Sequence, residues 1–156
     1  MIIRLLAAGT KAPGWVRDGY NEYARRMRDD CTLDLVELPI IKRAAGSNLE
    51  QLRDKEGVKV LSNVPAQAHV VALEVQGQPW STVELAKQLT GWQQKASTVC
   101  LLIGGPDGLS SACLDRANQK WSLSKLTFPH MLVRIMVAEQ LYRAWSYTRG
   151  HPYHRE

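Results

Sequence analysis

A chain of 156 residues that is 45% hydrophobic and 22% charged has the size and composition of a single folded domain, which excludes wholesale disorder. No apolar run approaches the roughly 18 residues needed to span a bilayer, and Arg4 interrupts the short apolar start that loosely resembles a signal peptide. A net charge of +5 suits a polyanionic partner such as RNA or DNA without demanding one.

In chain order, Ile2 to Ala8 is β-compatible and ends at Gly9-Thr10-Lys11, with Pro13-Gly14 marking a turn. Trp15 to Met27 reads as a helix, because Val16, Tyr20, Tyr23 and Met27 recur at helical spacing. Thr32 to Leu38 alternates around an apolar face and stops at Pro39, which predicts a strand. Ile40 to Asn48 has no periodicity and carries Lys42 and Arg43; it reads as a mobile basic loop suited to RNA. Leu49 to Leu61 is the next helix, with Gly57 as its weak point.

Val70 to Val75 is a strand, and Ser81-Thr82-Val83-Glu84 is a capping box that opens a helix through about Lys95. Thr98 to Ile103 is nearly all apolar, as in a central parallel strand covered on both faces. Gly104-Gly105-Pro106-Asp107-Gly108 breaks it, and Ser110 or Ser111 caps a helix expected to reach Trp121. Leu123 to Phe128 reads as a short strand closed by Pro129, and Met131 to Tyr147 as the clearest helix. Strands alternating with helices predict one α/β domain with a mainly parallel sheet flanked by helices.

Ligands of open α/β sheets bind beyond the carboxyl ends of the strands. Three such ends carry glycine or proline: Leu73 running into Gln76-Gly77-Gln78-Pro79, Ile103 into Gly104-Gly105-Pro106, and Leu126 into Thr127-Phe128-Pro129. Small and rigid residues there let a ligand approach the main chain. The glycine segment lacks the Lys-Ser/Thr of a P-loop and fails the GxGxxG pattern, so triphosphates and dinucleotides fit poorly. A ligand held by backbone groups and apolar walls fits better; an adenosine derivative such as S-adenosylmethionine is one of that kind.

Cys31, Cys100 and Cys113 show no CxxC spacing, and His151 and His154 flank Pro152 without a thiolate beside them. Neither a metal site nor a disulfide framework is expected, and a reducing cytosol is. His130 reads as a helix cap or as a catalytic group. Glu139 and Arg143 have the spacing of an ion pair. The ending, with Arg149, His151, Tyr153, His154 and Arg155, mixes cationic and stacking groups, the combination used on looped or single-stranded RNA.

The segments Leu102 to Ser110, Ser122 to His130, Glu139 to Trp145 and His151 to Glu156, with Gly9-Thr10-Lys11 and Asp54 to Gly57, closely resemble the bacterial large-subunit ribosomal RNA methyltransferase H family, of the SPOUT class. The resemblance spans the chain. It implies S-adenosylmethionine-dependent methylation of N3 of a pseudouridine in a hairpin loop of 23S rRNA, on the assembled ribosome in the cytoplasm. It also implies a homodimer and a C-terminal trefoil knot, which pattern alone would not predict.

Carried over residue by residue, cofactor contacts fall at Leu73, Gly105, Ser124, Lys125, Leu126, Thr127, Phe128 and Pro129, within the three strand-end loops. For the chemistry, His154 is the candidate proton acceptor, and Arg143 and Arg155 would stabilise the developing anion and hold phosphate. Tyr153 would stack on a flipped base. The alternative is a non-catalytic basic RNA-binding module, which would share the charge and the tail but not donor binding.

Overall fold

Among residues 1–154, which the computed structural model describes, five strands alternate with five helices. They are β1 (Ile2–Ala8), α1 (Gly14–Ala24), β2 (Thr32–Leu38), α2 (Leu49–Ser62), β3 (His69–Gln78), α3 (Thr82–Lys95), β4 (Thr98–Ile103), α4 (Ser111–Arg116), β5 (Gln119–Trp121) and α5 (His130–Thr148). The strands form one sheet in the order β2-β1-β4-β3-β5, and every pairing is parallel. The expected α/β architecture is therefore present, with a sheet that is parallel throughout.

Successive side chains of a strand point to opposite faces. Ile3, Leu5 and Ala7 of β1 join Val99, Leu101 and Ile103 of β4 in one core, under α1, α3 and α5. Leu6, Cys100 and Leu102 face the other core, under α2 and α4. Burial on both faces explains why β4 reads as a nearly unbroken apolar run. Gly57, a weak point by helix propensity, is a packing requirement: a Cβ there would lie 2.1 Å from the Ser110 Oγ at the start of α4.

The structure corrects four expectations. The helix after Ser110 ends at Arg116 and does not reach Trp121. Asn118 stops it by acting as a strand partner, its Oδ1 accepting from the Val70 N–H and its own N–H donating to the Val70 carbonyl, both at 2.8 Å. Gln119–Trp121 then continue as β5 beside β3. Leu123 to Phe128 is loop, because the Ser124 hydroxyl accepts the Leu126 N–H at 3.0 Å and closes a local turn in place of a ladder.

Strand β3 runs on to Gln78, and Trp121 pairs with both Leu73 and Gln78, so the residues between arch away from the ladder. The Ile40–Asn48 loop is pinned: Arg43 pairs with Glu56 of α2 and with Asp107 of the glycine turn. Its charge is consumed inside the protein and is not free for RNA. Lys42 beside it stays exposed.

Candidate functional site

The carboxyl ends of β3 and β4 and the loop after β5 enclose a cleft of about 320 Å³. β3 contributes Leu73, the turn after β4 contributes Gly105, and the loop before α5 contributes Ser124, Leu126, Thr127, Phe128 and Pro129. Lys125 belongs to the same loop, but it is exposed and is not part of the cleft wall. Of the three segments, the turn after β4 follows its strand as expected, whereas Leu73, Glu74 and Val75 lie within β3, which runs on to Gln78. The third follows β5, which sequence patterning had placed in a helix.

The glycine turn allows a close backbone approach. A Cβ on Gly104 would lie 2.6 Å from the Gly108 carbonyl carbon, and Gly108 itself has φ +77°. The Gly108 N–H donates to the Gly105 carbonyl at 3.1 Å, closing the turn. Only glycine fits there.

Further walls come from Glu74, Val75, Trp121, His130 and Val133. Trp121 was hidden by the wrong element assignment. His130 and Val133 enter because α5 starts directly against the loop; the adjacent Pro129 was the available signal. Among the described residues the wall contains no lysine or arginine, and Glu74 is its carboxylate. Burial, and then the nearby Arg134, push the His130 pKa down, so this imidazole is neutral at neutral pH. Such a wall suits a neutral or cationic organic ligand and offers a phosphate little.

Arg134 lies one turn beyond His130 and is fully buried. It donates to Glu37 at 2.8 Å, to the Gly9 carbonyl at 2.6 Å and to the Ala8 carbonyl at 3.3 Å. These bonds tie the first turns of α5 to the ends of β1 and β2. Alignment at the cleft floor is the result.

The tail residues gather elsewhere. Tyr153 donates its hydroxyl to Glu139 at 3.0 Å, and Arg143 pairs with the same carboxylate. The Arg143 guanidinium lies 5.2 Å from the Tyr153 ring centroid, a stacked cation. The Arg143–Glu139 pair predicted from spacing is thus present, half-buried and shared with the tail. Burial and the Glu139 bond push the Tyr153 hydroxyl well above its ordinary pKa.

His154 packs edge-on against Tyr147, and its buried Nδ1 has no hydrogen-bond partner among the described residues. Arg155 lies outside the described residues. Arg143, Tyr153 and His154 are not among the cleft-lining residues of the same subunit. Among the described residues, no group of three or more His, Cys, Asp or Glu is placed to hold a metal ion, and no helix is long and apolar enough to cross a membrane.

Residues 1–154 match the family model described as a predicted SPOUT methyltransferase. A relative from Hahella chejuensis, named ribosomal RNA large subunit methyltransferase H, is 53% identical over 156 residues, covering all of both chains. A protein of the same name from Alkalilimnicola ehrlichii is 50% identical over 155 residues, 99% of each chain. Among solved structures, a probable methylase family protein from Haemophilus influenzae superposes with a TM-score of 0.53 at 11% identity, over 99% of this chain and 70% of that one, a likeness of fold alone. Together with the all-parallel sheet and its strand-end cleft, these matches establish that the chain belongs to the SPOUT methyltransferase family.

Proposed function

We propose that the cleft binds S-adenosylmethionine and that the protein, as a homodimer, methylates N3 of a pseudouridine in 23S rRNA of the cytoplasmic ribosome. The observation that carries this reading is the wall itself: the arched part of β3 and two loops presenting backbone, apolar side chains and one carboxylate, with the imidazole held neutral. That is the wall a nucleoside bearing a positive sulfonium needs. The cleft volume lies at the lower end of the range for small-molecule sites. The relatives' names supply the substrate class, large-subunit ribosomal RNA.

S-adenosylmethionine supplies an activated methyl group when bound. Leu73, Gly105 and the Ser124–Pro129 loop would hold it, with Lys125 contributing main chain. The residues of this chain then orient the base and manage one proton. The imide N3–H must be lost for the nitrogen to attack, and correct proton transfer is worth about 10²- to 10⁴-fold. His154 accepts that proton; its Nδ1 has no competing bond among the described residues. Arg143 and Arg155 offset the charge that develops on the base, and Tyr153 stacks against it.

On this reading the tail groups act in the cleft of a second subunit. Glu139, which holds Arg143 and Tyr153, lies nine residues beyond His130 on α5, or about 14 Å along the axis at about 1.5 Å per residue. A cleft at one end of the helix and a tail against its middle favour a site shared across a dimer. The reading includes the C-terminal knot that membership of the SPOUT family implies.

The test is transfer of labelled methyl from S-adenosylmethionine to ribosomes lacking the modification, followed by mapping of the nucleotide. Label on N3 of one pseudouridine of 23S rRNA is expected. Label elsewhere overturns the substrate assignment. A protein that binds ribosomes but takes up no donor is the RNA-binding module instead.

A further inference from the structure

Three charged side chains from separate segments meet behind the glycine turn. Arg43 comes from the loop after β2, Glu56 from α2, and Asp107 from the turn itself. Arg43 donates through Nε and Nη2 to Asp107 Oδ2, at 2.9 and 2.7 Å. Through Nη1 and Nη2 it also pairs with both oxygens of Glu56, and Nη1 donates to the Ile41 carbonyl at 2.7 Å. The Ile41 N–H donates to Glu56 Oε1 at 3.0 Å, which locks the loop to α2. Glu56 is only 7% exposed, so this side of the cluster is largely shielded from water.

Within itself the turn is closed by one hydrogen bond, from the Gly108 N–H to the Gly105 carbonyl at 3.1 Å. It carries three glycines in five residues, each with wide conformational freedom in the absence of contacts. Its back rests on the clamped loop: a Cβ on Gly105 would stand 3.4 Å from the Ile40 Cγ2 and 3.4 Å from the Ala8 Cβ. Its front is the cleft wall, through Gly104, Gly105, Pro106 and Gly108. Asp107 is the residue of the turn that faces Arg43 rather than the cleft.

We propose that Arg43 is a positioning residue for methyl-donor binding, clamping Asp107 to Glu56 so that the Gly104–Gly108 turn is already shaped to present its backbone to the ligand. The proposal rests on the reading of the cleft as the donor site. A ligand bound by main-chain groups gains affinity when those groups are ordered beforehand. The planar guanidinium fork suits this task because it reaches two carboxylates at once, which a lysine ammonium does not reproduce.

The test uses the full chain. Asp107→Ala cuts the tie to the turn while leaving the Arg43–Glu56 pair intact, so no buried charge is stranded. Calorimetry with S-adenosylmethionine, methyl transfer at saturating donor, and thermal melting are compared with wild type, Asp107→Glu and Arg43→Lys. Asp107→Ala and Arg43→Lys are expected to weaken the donor about 10-fold, the scale of a lost charge-assisted tie. The KM for donor should rise in step, kcat should stay within about 2-fold, and Asp107→Glu should keep most of the affinity. Wild type that binds donor, beside an Asp107→Ala variant that binds it equally well, overturns the clamp and leaves the cleft reading standing. A fall in kcat at saturating donor with unchanged affinity also overturns it. Wild type that does not bind donor overturns both.

Discussion

His130 and Arg143 belong to one helix and stand about 20 Å apart along it, thirteen residues at about 1.5 Å each. His130 lines the cleft, whereas Arg143 carries the tail through Glu139 and Tyr153. If the proposed dimeric site is right, the cleft beside His130 and the tail beside Arg143 act on one substrate from two copies of the helix. Thr127→Trp, a loop substitution that fills the cleft, and a chain ending at Pro152 should each be inactive alone. Mixed in equal amounts, they should recover about a quarter of wild-type methylation, since half of randomly assorted dimers carry one complete site. Labelled-methyl transfer after subunit exchange checks this; no recovery would show that one subunit suffices.

Removing Tyr153 to Glu156 should separate chemistry from donor binding. Methylation is expected to fall at least about 100-fold, the low end for a lost proton acceptor. Donor affinity measured by calorimetry should stay within about 2-fold, because neither Tyr153 nor His154 lines the cleft.

The lowered pKa of His130 has a consequence for stability. Burial, then Arg134, favour its neutral form in the folded protein. The unfolded chain therefore binds a proton first, and the associated stability is present above about pH 6.5 and is lost as pH falls through the lowered folded value. Replacing His130 by Gln should flatten the fall in melting temperature between about pH 7 and pH 5. An equal fall in both proteins would show that His130 contributes nothing to it.

Arg134→Ala should be among the most damaging single changes. It leaves the Ala8 and Gly9 carbonyls and Glu37 without their donor at the junction of α5 with β1 and β2. Breaking a buried pair of this type costs about 3–5 kcal/mol, to be read from denaturant unfolding. Arg134→Met, which refills the volume, should cost less.

Gly57→Ala offers a sharper contrast with propensity. Alanine normally stabilises a helix interior over glycine by about 1 kcal/mol. Here its Cβ would strike Ser110, so the variant should instead lose roughly 1–3 kcal/mol, the cost of overpacking. Denaturant unfolding that shows Gly57→Ala to be the more stable protein would refute the contact.

Local pattern carried most of the framework. The alternation of Thr32 to Leu38 and the apolar run of β4 placed strands of the sheet, and the Ser81–Glu84 capping box appears in the structure as expected, with bonds of 3.2 and 2.7 Å. It failed between Ala117 and Pro129. There the decisive partner of Asn118 is Val70, 48 positions away, and no periodicity in a short window records such a bond. Arg43 shows the same blindness: it reads as a loop cation until the fold brings up Asp107, 64 positions on.

The alternation of strands and helices and the family were legible in the chain alone, because they depend on spacing and on backbone conformations that few residues adopt. Only the tertiary structure decided which charges are spent inside the molecule and which ends of α5 face cleft and tail. Ion pairs such as Arg134–Glu37 join residues 97 positions apart, and a charge is free or consumed only once packing has chosen its neighbours.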